Sequence, residues 1–141
     1  MEEGVVMSRL GLIPAVYLFL FNDKNQILLM KRQNTGYGDG KFSVPSGHLE
    51  ENESFEHAII RETEEEIGID INNNVKFIKM LHRIPEKRLD FFYKAEFWKG
   101  ELYNKEPNKC ELIKWFDIYN LPENIIDYVK EIIFENKKGI D

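Results

Sequence analysis

Between Gly47 and Ile69 the chain places eight glutamates and one arginine, with no lysine among them. Carboxylates this dense repel one another, and a hard divalent cation held through oxygen ligands offsets that repulsion. The order is G-x5-E-x7-R-E-x-x-E-E-x-G-aliphatic, met by Gly47, Glu53, Arg61, Glu62, Glu65, Glu66, Gly68 and Ile69. Ser54 suits an N-cap and Gly68 the residue just past a helix end, with neither Gly nor Pro between them, so the spacing predicts a helix of about four turns. At about 100° per residue, Phe55, Ala58, Ile59, Thr63 and Ile67 share one apolar-leaning face. Glu62, Glu65 and Glu66 stand at i, i+3 and i+4 and gather at the edge of that face, whereas Glu64 points to solvent. A merely solvated acidic face is the usual fate of a charge run, but it leaves both glycines and Arg61 unexplained.

The pattern resembles the signature box of the Nudix hydrolases, with one departure: Thr63 occupies a position where an aliphatic residue is commoner. The resemblance implies that Glu62, Glu65 and Glu66 bind a divalent cation, joined by the carbonyl of Gly47. It implies that Arg61 and Glu53 pair to hold loop and helix together, making Arg61 an orienting residue rather than a phosphate ligand. Contact of Glu53 with metal through water is the alternative. A further acidic ligand from a later loop is expected at Glu106, with Glu111 as its rival. Magnesium, for which manganese substitutes, matches an oxygen-only donor set. The reaction implied is hydrolysis of a nucleoside diphosphate linked to another group X, with Glu62 the first choice as the base that takes a proton from the attacking water. In element order the resemblance runs from about Ile13 to Glu135, with motif-level detail confined to residues 41–69.

Composition sets the outer limits. The 141 residues, 43% hydrophobic, form one domain (1–141) large enough for a substantial core. A net charge of −6 argues against a nucleic-acid polymer as partner. A small phosphate-bearing molecule remains compatible, because bound cations reverse the local field. One cysteine, Cys110, excludes an internal disulfide and suits a reducing compartment. An acidic start and an apolar run of only six residues at 16–21 predict a cytoplasmic chain with no membrane span. The expected state is a monomer or homodimer.

Residues 15–21 and 26–32 are β-rich and joined by Asn22-Asp-Lys-Asn25, which reads as a hairpin. Residues 33–40 hold three glycines and form a loop. Residues 41–44 form a short strand, stopped where Pro45-Ser46-Gly47 turns the chain into the box. Two long strands follow at 75–84 and 89–98, then a polar loop at 101–110, a strand at 112–116 and an amphipathic helix at 123–135. Strands on either side of one helix, closed by a second, make an α/β fold with a mixed sheet. The resemblance implies the α/β/α sandwich of its family, with the catalytic helix after a glycine-containing loop.

Substrate contacts are less sharply marked. Arg32, Lys41 and Arg83 are candidates for phosphate. Tyr17, Tyr37, Phe42, Phe92 and Trp98 could stack on a base, although aromatics at strand spacing serve more often as core. Asp90 and Asn124 could read base edges. The lack of an added dimerisation domain favours a nucleoside triphosphate, ordinary or oxidised, cleaved to monophosphate and pyrophosphate. The alternatives are a nucleotide-sugar or other dinucleotide pyrophosphatase, or a nucleotide-binding module without turnover. Gly36-Tyr-Gly38-Asp-Gly40 lacks the Lys-Ser/Thr and helix of a P-loop, and His48, His57 and His82 lack metal-ligand spacing.

Overall fold

The computed structural model of the protein describes residues 10–140. In chain order it forms β1 (Ile13–Leu20), β2 (Gln26–Arg32), β3 (Phe42–Ser43), β4 (Ser46–His48), α1 (Phe55–Ile67), β5 (Lys76–Arg83), β6 (Arg88–Ala95), β7 (Cys110–Asp117) and α2 (Asp127–Ile140). Four strands make a mixed sheet in the order β4-β1-β6-β5, and three make a second sheet in the order β3-β2-β7. β1 runs parallel to β6 and antiparallel to β4.

Both central strands are buried on both faces, which is why β1 reads as an almost unbroken apolar run. Tyr17, Phe19, Ile27 and Leu29 face one core, closed by Val129, Ile132 and Ile133 of α2. Val16, Leu18, Leu28 and Met30 face another, closed by Ala58, Ile59 and Ile67 of α1. The result is the expected α/β/α sandwich, with α1 as the helix that carries the acidic box. Among the described residues no helix is long and apolar enough to cross a membrane.

Three expectations about elements are corrected. The segments read as a hairpin belong to different sheets and share only the bridge between Phe21 and Ile27. Both edges of β1 are already taken, by β4 and β6. Pro45-Ser46-Gly47 is not only a turn, because Ser46 and Gly47 enter β4, opposite Tyr17 and Val16. The last helix begins at Asp127 rather than 123, because β3 captures the preceding residues: Phe42 donates its N–H to Asn124 O (2.8 Å), and Ile126 donates to Phe42 O (3.0 Å).

Candidate functional site

Helix α1 is built as its sequence predicts. Ser54 accepts a hydrogen bond from the N–H of His57 (3.1 Å), and Gly68, at φ 75°, ends the helix by donating to Glu64 O. Thr63, fully buried, returns its hydroxyl to Ile59 O (2.6 Å), so a polar residue sits on the apolar face with its donor satisfied. The free carbonyls of the last turn are taken by the following loop: Tyr103 N–H bonds Ile67 O (3.1 Å) and Lys105 N–H bonds Glu66 O (3.0 Å). The Tyr103 ring occupies the space a Cβ on Gly68 would need. These bonds bring the loop holding Glu106 against the C-terminal end of the helix.

Arg61 is the hub of the helix–loop junction. Its Nε and Nη2 donate to the two oxygens of Glu53 (2.7 and 2.9 Å), Nη2 also reaches His48 O (3.0 Å), and Nη1 bonds Glu65 (3.0 Å). Glu53 has a nearly inaccessible side chain, 5% exposed. The Arg61 guanidinium holds its carboxyl well down, at about 2, against the opposing effect of burial.

Glu62 and Glu66 turn the other way, into a cleft of about 690 Å³ that Gly47, Arg32 and Glu106 also line. The Glu62 side chain fills the place where a Cβ on Gly47 would stand, so only glycine lets β4 and α1 approach this closely. Burial pushes Glu62 up to about 7; Arg61 opposes this, and Glu65 and Glu106 reinforce it. Glu66 is raised well above the ordinary carboxylate range by burial, then by Glu62, against one hydrogen bond from Ser46 N–H (3.3 Å).

The other expected residues divide sharply. Arg32 reaches the cleft, its Nε fixed by Tyr37 O (2.7 Å). Lys41 faces a smaller separate depression, and Asn124 is occupied in holding Gly40 O (2.9 Å). Asp90, expected to read a base edge, is fully buried and bonds Arg83 Nε through one oxygen (2.6 Å), so it touches a ligand only through Arg83. Glu111 pairs with Lys31 (3.5 Å), while Glu106 faces the cleft. Tyr17 and Tyr37 line the cleft; Phe42 and Phe92 are core, and Trp98 stacks on Trp115. Arg88, Lys109 and Tyr128 also line it without a signal in the sequence. Only the β5–β6 register, which sets Arg88 opposite Arg83, would have pointed to the first.

The donor set tests whether a cation fits. Glu62, Glu66 and Glu106 offer only carboxylate oxygens; Glu62 feels the charge of Glu106, Glu66 feels those of Glu62 and Glu106, and Gly47 lines the same cleft. That chemistry fits a hard divalent ion. Among the described residues no three histidine, cysteine, aspartate or glutamate side chains are already gathered as a metal-holding cluster, and Glu65 is bonded to Arg61 (3.0 Å).

The family model described as NUDIX domain matches residues 11–133. The chain is 30% identical over 101 residues to an 8-oxo-dGTP diphosphatase of Escherichia coli (strain K12), spanning 71% of this chain and 76% of that one. It is 32% identical over 130 residues to an ADP-ribose pyrophosphatase of Methanocaldococcus jannaschii, spanning 88% and 74%. In structure it is similar to a MutT NUDIX hydrolase from Burkholderia pseudomallei, with a TM-score of 0.79, 25% identity and coverage of 86% and 95%.

Proposed function

Because the chain belongs to the NUDIX family and is a hydrolase of that type, we propose that it hydrolyses a nucleoside diphosphate linked to X. The foremost substrate is a nucleoside triphosphate, ordinary or oxidised, cleaved to monophosphate and pyrophosphate. The observation that carries this reading is the shared cleft, in which Glu62, Glu66 and Glu106 face the same space as Arg32, Arg88 and Lys109. Among the described residues, none of those three cations has a carboxylate within 4.0 Å.

Glu62, Glu66, Glu106 and the Gly47 carbonyl would hold Mg2+, or Mn2+ in its place, with Glu65 the further carboxylate of the same helix. When bound, such an ion neutralises diphosphate oxygens and lowers the pKa of water. The unpaired cations draw the phosphates in and orient them. Glu62 takes the proton from the attacking water. Arg61 touches no substrate; by gripping Glu53, Glu65 and the His48 carbonyl it fixes α1 against the loop that follows β4.

Attack is expected at the α- or β-phosphorus, since nothing in the chain builds a P-loop around a γ-phosphate. Turnover of a nucleotide panel in oxygen-18 water, with divalent cation and with chelator, tests this. Label in orthophosphate beside a nucleoside diphosphate product would refute it. The similarity to the Methanocaldococcus jannaschii enzyme favours a second reading, ADP-ribose or a related sugar nucleotide, so that compound belongs in the panel.

A further inference from the structure

We propose that Asn104 is a positioning residue of this site: it clamps the loop at residues 104–110 so that the Glu106 carboxylate is held in the cleft beside Glu62 and Glu66. The proposal rests on the reading of Glu106 as a cation ligand in a nucleotide hydrolase and adds the residue that sets it.

The Asn104 side chain spans the mouth of this loop. Its Oδ1 accepts from the Glu106 N–H (3.2 Å), and its Nδ2 donates to Cys110 O (2.7 Å), where the chain enters β7. Both bonds are partly shielded from solvent, where a hydrogen bond is stronger than in water. Within the loop, the Glu106 carbonyl accepts from the N–H groups of Lys109 and Cys110 (2.9 and 3.0 Å). Pro107 follows Glu106 and biases it to extended backbone. The N–H and the carbonyl of Glu106 are thus both occupied, and the side chain is the part left to act.

The loop is also fastened at both shoulders. On one side the N–H of Lys105 holds Glu66 O (3.0 Å) at the end of α1. On the other, the residues just after β2 supply three donors: Gln33 N–H to Lys109 O (3.0 Å), Gln33 Nε2 to Pro107 O (2.7 Å) and Asn34 Nδ2 to Asn108 O (3.0 Å). These bonds tie the loop as a whole to elements that frame the cleft. Among the described residues, Asn104 alone bonds the main chain of Glu106 through a side chain.

The need for a clamp comes from charge. Among the described residues the Glu106 carboxylate makes no hydrogen bond or ion pair. It nevertheless lines the cleft with Glu62 and Glu66, and both feel its charge. Until a cation arrives, like charges drive a carboxylate carried on a loop away from the other two. A clamp that resists this lowers the ordering cost that cation binding must otherwise meet.

The test counts Mn2+ bound to the full chain, without nucleotide, from the electron paramagnetic resonance of the free ion. Asn104→Ala and Glu106→Gln should each weaken binding by about tenfold or more. Combined, they should bind within about twofold of Glu106→Gln alone, because the clamp then has no carboxylate to place. Asn104→Ser, whose hydroxyl can accept from the Glu106 N–H but is too short to reach Cys110 O, should fall between native and Asn104→Ala. Unchanged Mn2+ affinity in Asn104→Ala overturns the proposal even if its unfolding temperature in EDTA falls, since that is the mark of a merely structural residue. An equal loss from Asn104→Ala in both backgrounds overturns it too. If Asn104→Ala does not fold, Asn104→Ser is judged by the same two comparisons. Turnover of the nucleotide panel separates the two readings. Coupled Mn2+ losses in a protein that hydrolyses no nucleotide sink the hydrolase and leave the clamp standing; hydrolysis with Mn2+ binding indifferent to Asn104 does the reverse.

Discussion

Replacing Glu53 with glutamine should weaken the fold in a way that depends on pH with a definite sign. In the native protein Glu53 accepts from Arg61 twice (2.7 and 2.9 Å), from the N–H of Glu50 (2.9 Å), and meets His57 Nδ1 at 2.8 Å. Glutamine keeps the shape but turns one acceptor oxygen into a donor that faces other donors. A charge-assisted hydrogen bond is worth about 1.5–3 kcal/mol net. Arg61 keeps Glu65 and the His48 carbonyl, so the loss should stay near 2–3 kcal/mol rather than the sum for two bonds. For a domain of this size that is a fall in Tm of about 6–12 °C near neutral pH. The folded carboxyl is held at about 2 against an ordinary 4.5. A depressed carboxylate stabilises the fold above its unfolded value, and that contribution is lost as pH falls toward the folded one. The gap between native and Glu53→Gln proteins should therefore be full at pH 6–7, shrink from about pH 5 downward and nearly close by about pH 2. Urea unfolding across that series measures it. A gap below about 1 kcal/mol at pH 7, or one that stays constant with pH, would refute the reasoning.

Within α1, Glu62→Gln, Glu65→Gln and Glu66→Gln should each lower kcat by about 100-fold or more. Glu64→Gln should change kcat by less than about twofold, because Glu64 is exposed and, among the described residues, pairs only with Lys105 (2.6 Å); equal damage at Glu64 and Glu65 would show that the helix face is misassigned. Thr63→Val should alter stability by no more than about 1 kcal/mol, because the lost hydroxyl bonds a carbonyl that already serves the helix; a loss above about 2 kcal/mol in urea unfolding would mean the hydroxyl has another role. Activity should vanish in excess EDTA and return with magnesium or manganese; full turnover in chelator would exclude the cation.

The acidic helix was legible because everything that specifies it is local. A cap, a stop and a 3.6-residue apolar period lie within fifteen residues, and α1 spans 55–67 between Ser54 and Gly68 as they require. The pairing of Glu53 with Arg61, which the family resemblance implied, is present at the helix–loop junction. Asp90 was misplaced for the opposite reason: whether an aspartate on a strand reaches solvent or is sealed by an arginine depends on which strand lies beside it. Here that strand is β5, which supplies Arg83. Tyr128 and Arg88 enter the cleft through helix docking and strand register, which no local pattern encodes.

The mistaken hairpin shows where the cleft comes from. The turn after β1 is hairpin-like in its local bonds: Asn22 accepts from Lys24 and Gln26 N–H (2.9 and 3.1 Å), and its own N–H bonds Gln26 O (3.1 Å). Turn chemistry was therefore read correctly, yet the ladder stops at Phe21 and Ile27. Beyond that bridge β1 gives its edges to β4 and β6, and β2 gives its edges to β3 and β7. Ala15 and Tyr17 on one strand, and Met30, Lys31 and Arg32 on the other, then line a shared space instead of pairing. β4 carries Gly47 to its rim, where α1 delivers Glu62 and Glu66. The departure from the simplest local reading thus leaves two central strands buried on both faces and still opens a cleft between them.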